Sequence, residues 1–217
     1  MKIYSDIVQQ TEAWERLKYG KIGGSRSEGL FVKSDTLFIE MLSEFTEPYE
    51  PDFDTFETKD TIRGNEFEPR ARYELGQYAG VEFFEAGWLQ CDENPMIGIS
   101  PDGFTEDLKI MCELKCPGAK KHNVNIRTSG IHTDYVLQCV HYFVVNPLLE
   151  LLYFDSFRPE HLYKPHSIRT INRQSLVNIG TEKTPKMFTV EKCVEMSKAS
   201  ALELKERIDK AINEMKF

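Results

Sequence analysis

The sequence has no hydrophobic run long enough to cross a membrane. Its most apolar stretch, residues 140–154, is interrupted by His141, Asn146, Pro147 and Glu150, whereas a bilayer requires about 20 successive apolar residues. The N-terminal residues also contain no apolar segment of the kind that a secretory signal needs. These two absences predict a cytoplasmic protein with no membrane association.

Cysteine is scarce and unpatterned. The five cysteines are an odd number, and no two of them are spaced as C-x-x-C. This pattern supports neither a disulfide framework nor a zinc knuckle. We therefore expect reduced thiols that serve as small core residues.

Positive charge is also in deficit. The chain has 27 Lys and Arg against 35 Asp and Glu, a net charge of −8, which by itself argues against a protein that coats nucleic acid. However, residues 35–60 contain nine acids and one base, so this segment alone carries a charge of −8, equal to that of the whole chain. The remaining residues are balanced, so the total does not exclude a DNA substrate. We expect 35–60 to be an acidic helix-loop insertion that lies away from any DNA channel.

A length of 217 residues predicts one domain, residues 1–217. Hydrophobic periodicity indicates helices and strands in an order typical of an α/β fold with a mixed central sheet flanked by helices. The expected helices cover 10–19, a segment from Asp35, 62–79, 134–145 and a long C-terminal helix over 189–217, and the expected strands cover 81–90, 96–100, 108–116, 148–157 and 163–172.

Three side chains form the strongest chemical pattern. Glu113 and Lys115 are two residues apart on one strand and therefore project from the same face. The turn signal Asp102-Gly103 predicts a hairpin between the strands 96–100 and 108–116, which would bring Asp102 opposite that face. Two converging carboxylates require a cation between them, and oxygen ligands favour Mg²⁺ or Mn²⁺.

This spacing alone also occurs by chance on solvated strands. The strand is not of that kind, because the residues around Glu113 and Lys115 are largely apolar: Ile110, Met111, Cys112, Leu114 and Cys116. Charges on a buried strand must be paired or must hold a metal. The pattern therefore indicates metal-assisted phosphodiester hydrolysis.

Four ordered motifs resemble those of one known family. Ser100-Pro101-Asp102-Gly103 followed by Glu113-Leu114-Lys115-Cys116-Pro117 resembles the catalytic core of the phage lambda exonuclease and YqaJ-like viral recombinase family, in the PD-(D/E)XK nuclease superfamily. The segments 14–25, 64–71 and 135–142 are similar to the family's W-x(3)-R-x-G-x-I-T-A-S, G-x(3)-E-x(2)-A and Y-x(2)-Q elements. The resemblance thus extends in order over residues 14 to 142.

The resemblance implies roles for the matching positions. Asp102 and Glu113, with the backbone carbonyl of Leu114, would be metal ligands, and Lys115 would act on the attacking water. Glu68 would complete a second metal position or orient its water shell. Glu66, two residues away, would point off the opposite side of that helix and ranks below Glu68.

The resemblance also implies a pocket for a 5′-terminal phosphate. The matching residues are Lys18, Ser25, Ser100 and Gln138, which combine a cation with hydroxyl and amide donors. Lys18 replaces the family's usual Arg, which loses bidentate geometry. Either Arg16 or Arg26 would then supply a guanidinium.

As a member of this family, the chain would be a Mg²⁺-dependent 5′-to-3′ exonuclease on linear double-stranded DNA that leaves 3′ single strands for recombination. The resemblance further implies two metal ions, replaceable by Mn²⁺, a ring-shaped homotrimer and a partner that anneals single strands. Two alternatives stay open: an endonuclease of the same superfamily, and an inactive nuclease fold that serves as a binding module.

Overall fold

The computed structural model describes residues 1–51 and 59–216. Within them, helices alternate with short strands. The helices are α1 Glu12–Lys18, α2 Ser27–Phe31, α3 Asp35–Thr46, α4 Lys59–Ala79, α5 Ala119–Arg127, α6 Thr133–Val145 and α7 Val190–Met215, with a 3₁₀ turn at Gly24–Arg26. The strands are β1 Lys2–Tyr4, β2 Trp88–Gln90, β3 Gly98–Ile99, β4 Gly103–Phe104, β5 Ile110–Lys115, β6 Leu151–Phe157, β7 His166–Ile171, β8 Leu176–Asn178 and β9 Met187–Thr189.

The central sheet has the order β4-β5-β6-β7 and is mixed. β5 pairs in parallel with β6 and antiparallel with β4, and β7 pairs antiparallel with β6. The strands β1-β2-β3 form a second, antiparallel sheet, and β8-β9 form a third. The predicted α/β fold with a mixed sheet and flanking helices is confirmed.

Both faces of β5 are buried, so its residues alternate between two hydrophobic clusters. Cys112 and Leu114 pack with Ala71 and Leu75 of α4 on one face. Met111 belongs to the larger core on the other face. A strand covered on both sides shields the polar residues within it from water, so Glu113 is 1% exposed, while Lys115 at the end of the strand is 27% exposed.

The C-terminal helix is confirmed over Val190–Met215. The Thr189 hydroxyl caps it by accepting the Lys192 N–H at 3.2 Å. Its buried stripe includes Val190, Val194, Ala201, Leu204 and Ile208. The predicted helix extends to residue 217, which lies outside the described part of the chain.

The predicted hairpin is wrong in its pairing. Residues 98–99 pair with β2 in the second sheet, and Gly103 is itself a strand residue paired with Cys112. The chain reverses between β4 and β5, where Leu108 has φ 63°. Asp102 nevertheless reaches Glu113, because the register of Gly103 with Cys112 brings the two acids together.

One further expectation fails locally. Only residues 88–90 of the predicted strand 81–90 are paired as a strand, while Phe84 makes an isolated bridge to Phe104. The basic segment that follows β5 is helix α5, which buries His122 and Asn125.

The acidic segment begins as helix α3 at Asp35, as predicted, and the Ser34 side chain caps the helix by accepting the Leu37 N–H. Acids of α3 are used within the chain. Asp35 pairs with Arg207 of α7 at 2.8 Å, and Glu44 pairs with Arg26. The part of the acidic segment at 52–58 lies outside the described residues.

All five cysteines are buried and unpaired, as expected for core thiols. Among the described helices, none combines the length and the apolar character needed to cross a bilayer.

Candidate active site

Asp102 and Glu113 meet at the edge of the central sheet, where Asp102 immediately precedes β4. The Asp102 carboxylate accepts the backbone N–H of Leu114 at 2.7 Å, which fixes it beside β5. Burial, followed by the charges of Glu113 and Glu68, raises the pKa of Asp102 well above its usual value. The fold thus concentrates negative charge at this edge.

Lys115 is the cation of this cluster. Its Nζ lies 2.5 Å from Oε1 of Glu113, whose side chain is 1% exposed. Burial alone would lower the pKa of Lys115, but the charges of Glu113 and Asp102 outweigh it and hold the pKa above its ordinary value. The two carboxylates therefore favour the ammonium form of Lys115.

Glu68 reaches the cluster from α4 and is held by Arg72, one turn further on. The Arg72 Nη2 donates to Glu68 at 2.9 Å and also lies 2.8 Å from Glu85. Its Nε donates to the backbone carbonyl of Asp102. Arg72 thus connects α4 to the segment that carries Asp102. The pKa of Glu68 is raised, chiefly by burial. The positive charge of Arg72 acts to lower this pKa, and the negative charge of Glu113 acts to raise it further.

A second polar contact fixes α4 against the sheet. His166 of β7 lies 2.8 Å from Glu74 of α4 through Nε2 and 2.6 Å from Asp155 of β6 through Nδ1. Burial disfavours charge on His166, but the Asp155 and Glu74 carboxylates raise its pKa overall. This bridge links α4, the helix that carries Glu68, to strands β6 and β7 of the central sheet.

Helix α6 closes the other side of the site. The hydroxyl of Tyr142, which is fully buried, accepts the Asp102 N–H at 3.4 Å. One helical turn earlier, Gln138 lies against Gly24, where a Cβ would stand 3.1 Å from the Gln138 Cγ. Near the start of the helix, the Lys115 Nζ lies 5.8 Å from the centre of the Tyr135 ring.

The donor set fits an oxygen-liganded divalent cation in chemistry and charge. Both carboxylate oxygens of Glu113 are buried without an aligned hydrogen-bond donor, although one contacts Lys115 as an ion pair. Among the described residues, no three Asp, Glu, His or Cys side chains stand close enough to form a ready-made site. Binding of an ion would therefore draw Asp102, Glu113 and Glu68 together, relieving their mutual repulsion.

The residues predicted to hold a terminal phosphate divide into two neighbouring groups. In the first, the Trp14 indole N–H donates to the Ser100 hydroxyl at 2.7 Å, and the Lys18 Nζ lies 3.1 Å from the centre of the Trp14 ring. Burial lowers the pKa of Lys18, and Glu15 opposes this. Trp14 is half-buried and orients both residues.

The second group is Ser25 and Gln138. Ser25 is exposed within the 3₁₀ turn, next to the Gly24 that packs on Gln138. Arg26 turns away from them: its Nη1 donates to Glu44 of α3 at 2.8 Å and to the Lys21 carbonyl at 3.1 Å. The guanidinium is thus already paired within the chain, as is the Lys18 ammonium, whose Nζ lies 3.2 Å from Glu15.

Comparison with known proteins decides the family. Residues 13–147, more than half of the chain, match the YqaJ-like viral recombinase domain. The chain belongs to the YqaJ-like viral recombinase family. No curated protein sequence matches it.

Solved structures share the fold of this YqaJ-like chain. It is similar to the alkaline exonuclease LHK-Exo from Laribacter hongkongensis, with a TM-score of 0.72, 20% identity, and coverage of 94% of this chain and 98% of that one. LHK-Exo in complex with dAMP gives a TM-score of 0.71 at 21% identity, with the same coverage. A phage-related exonuclease from Haemophilus somnus 129PT gives 0.53 at 15% identity, covering 90% and 96%. Family and fold together support a nuclease function.

The YqaJ-like motifs located Asp102, Glu113 and Glu68 but not the groups that hold them. Arg72 and Tyr142 were missed, although Arg72 follows Glu68 by one helical turn, and that spacing was a usable signal. The lower rank of Glu66 agrees with its exposed position. His141 packs in the core, where its Nε2 lies 3.0 Å from the Gly98 carbonyl.

Proposed function

We propose that this chain is a Mg²⁺-dependent exonuclease that digests linear double-stranded DNA from its 5′ ends and leaves 3′ single strands for recombination. The observation that carries this proposal is the buried Glu113–Lys115 pair beside Asp102, with Glu68 approaching from α4. Such a group of charges is costly unless it serves a cation and a reaction.

Asp102, Glu113, Glu68 and the Leu114 carbonyl would hold the metal, as two Mg²⁺ ions that Mn²⁺ would replace. When bound, the metal would activate a water as nucleophile and neutralise charge on the phosphate. Lys115 would hold its positive charge at the attacked phosphate. Its ammonium group lies beside Glu113, where it would stabilise the negative charge that develops on the phosphate.

The 5′ end of the DNA would be bound by Lys18, Ser25, Ser100 and Gln138. Trp14 supports this assignment, since it orients Ser100 and covers Lys18 on one side. Arg26 is less suited, because Glu44 competes for its guanidinium. The complex of LHK-Exo with dAMP is consistent with a nucleotide as the ligand of this fold.

The assembly and the partners are also proposals. A ring-shaped homotrimer would enclose the DNA and give processivity, and a single-strand annealing protein would receive the 3′ tails. Sedimentation of the purified chain tests the first, since a trimer has three times the mass of 25.2 kDa.

We expect Lys18→Ala to remove the preference for a 5′-phosphate. Loss of one charge-assisted contact costs roughly 1.5–3 kcal/mol, so wild-type protein should digest 5′-phosphorylated duplex about tenfold faster than 5′-hydroxyl duplex. The variant should digest both at the slower rate. The measurement is the initial rate of nucleotide release from duplexes labelled at the 5′ or the 3′ end.

Lys33→Ala is the matched control, because Lys33 is an exposed lysine that pairs with Glu203 rather than with Trp14. It should retain the full preference. Equal rates on both substrates with the wild-type protein would contradict the phosphate pocket. Release of the 3′ label first would contradict the polarity.

A further inference from the structure

Two large apolar side chains project fully into solvent on one short loop. Leu162 is 89% exposed and Tyr163 is 90% exposed, the highest values among the large hydrophobic residues of the described chain. They lie in the β6–β7 loop, residues 158–165. Single exposed apolar residues are ordinary, but two adjacent ones held at this exposure suggest a contact surface.

The β6–β7 loop is held by hydrogen bonds at both ends. The Arg158 N–H donates to the Pro165 carbonyl at 2.8 Å, and the Lys164 N–H donates to the His161 ring at 3.0 Å. Glu160 forms a two-pronged ion pair with Arg63 of α4. The chain therefore presents Leu162 and Tyr163 from a braced backbone, which lowers the entropy lost when they bind something.

The same bracing ties the loop to the proposed catalytic strand. The Pro117 carbonyl, two residues beyond Lys115, accepts hydrogen bonds from both Arg63 and Arg158 at 3.3 Å. Ser156, the neighbour of Lys115 on β6, is two residues before Arg158. Strand spacing and rise then put the start of the loop roughly 8 Å from Lys115. DNA held at the carboxylates would therefore lie near the start of this loop.

The charge around the loop suits DNA. Lys164 follows Tyr163 and is exposed, and its carbonyl lies 2.9 Å from His122 Nε2 of α5. This contact brings the first turn of α5, with exposed Lys120, against the loop. The one acid of the loop, Glu160, is neutralised by Arg63. An apolar pair flanked by lysines is typical of surfaces on which unpaired bases stack.

We propose that the β6–β7 loop binds single-stranded DNA, with Leu162 and Tyr163 packing on unpaired bases of the strand that digestion exposes. The proposal rests on the proposed exonuclease function, which generates such a strand beside the site. Stacking of this kind tolerates any sequence, because every base offers an aromatic face.

The test is the affinity of the Leu162→Ala, Tyr163→Ala double variant for a duplex with a 3′ single-stranded tail, measured by fluorescence anisotropy in EDTA. We expect binding about tenfold weaker than wild type or more, from the loss of base stacking. On a blunt duplex we expect little change. The salt dependence of binding should stay unchanged, whereas Lys164→Gln should lower its slope by about one.

The matched control is Tyr78→Ala, Leu202→Ala, which removes the same two side chains from other exposed positions, 69% and 63% exposed. Tyr78 lies roughly 22 Å along α4 from Arg63, so this variant should bind DNA normally. Wild-type affinity of the loop variant for tailed DNA would overturn the proposal. So would an equal loss on blunt duplex, or a change in sedimenting mass, which would make the loop a contact between copies. If wild-type protein neither binds nor degrades DNA, the proposed function itself fails.

Discussion

Replacing Asp102 by Asn should lower the rate of DNA degradation by about a thousandfold or more while leaving the fold intact. Asn keeps the size of the side chain and an oxygen that can accept the Leu114 N–H, but it loses the charge that a divalent cation needs. Removing one negative charge from the cluster of Asp102, Glu113 and Glu68 also relieves repulsion. We therefore expect the metal-free variant to melt at or above the wild-type temperature.

A second measurement on this variant is independent of activity. Excess Mg²⁺ stabilises a protein that binds it, by about 2.7 kcal/mol at a hundred times the dissociation constant. Wild-type protein should show this rise in melting temperature, and Asp102→Asn should show little of it. Asp107→Asn is the control, since Asp107 lies in the β4–β5 turn and accepts from Thr105 and Lys109. Wild-type activity in Asp102→Asn would contradict the metal assignment.

Replacing Lys115 by Met should cost both activity and stability. Without the ammonium ion, Glu113 is left buried at 1% exposure with no counter-charge. Breaking a buried pair in this way costs roughly 3–5 kcal/mol. Loss of the positive charge at the phosphate should lower the rate by roughly 10²–10³-fold, the range for removing one group that stabilises charge in the transition state.

The double variant Glu113→Gln, Lys115→Met separates the two effects. Replacing both charges by neutral groups of similar size should restore most of the stability, because no unpaired charge remains. Activity should stay lost. Denaturant melts give the stabilities, and nucleotide release gives the rates. If the double variant were no more stable than Lys115→Met, the ion pair would not be the source of the cost.

The sequence was sufficient for the parts of the site that depend on local pattern. Glu113 and Lys115 alternate with buried apolar residues on one strand, so their shared face follows from the period of the strand. The segment containing Glu68 shows regular helical spacing, and its predicted helix lies within α4. These features are set by neighbours in the chain, and they were predicted correctly.

What the sequence did not predict depends on contacts between distant segments. β3 pairs with β2 rather than forming a hairpin with β5, and nothing in residues 96–103 alone distinguishes the two pairings. The link from Arg72 to the Asp102 carbonyl spans 30 residues. The pairing of Arg26 with Glu44 depends on the packing of α3 near the 3₁₀ turn. Each of these contacts joins segments that are distant in the sequence, so local sequence pattern does not determine which partners meet.

The structure shows that some acids of the acidic segment are ion-paired within the chain. Residues 35–60 account for the net charge of −8, yet Asp35 and Glu44 are bound to Arg207 and Arg26 within the chain. Part of the acidic segment therefore serves the packing of α3. Its position relative to DNA stays a prediction.

We propose that Asp102, Glu113, Lys115 and Glu68 form the centre of an end-dependent, metal-dependent nuclease. Its most direct test is a time course of wild-type protein on linear and covalently closed circular duplex DNA, each with Mg²⁺ or EDTA. We expect progressive loss of the linear DNA with Mg²⁺, no loss in EDTA, and an intact circle throughout. Cutting of the closed circle, degradation in EDTA, or survival of the linear DNA with Mg²⁺ would contradict this account.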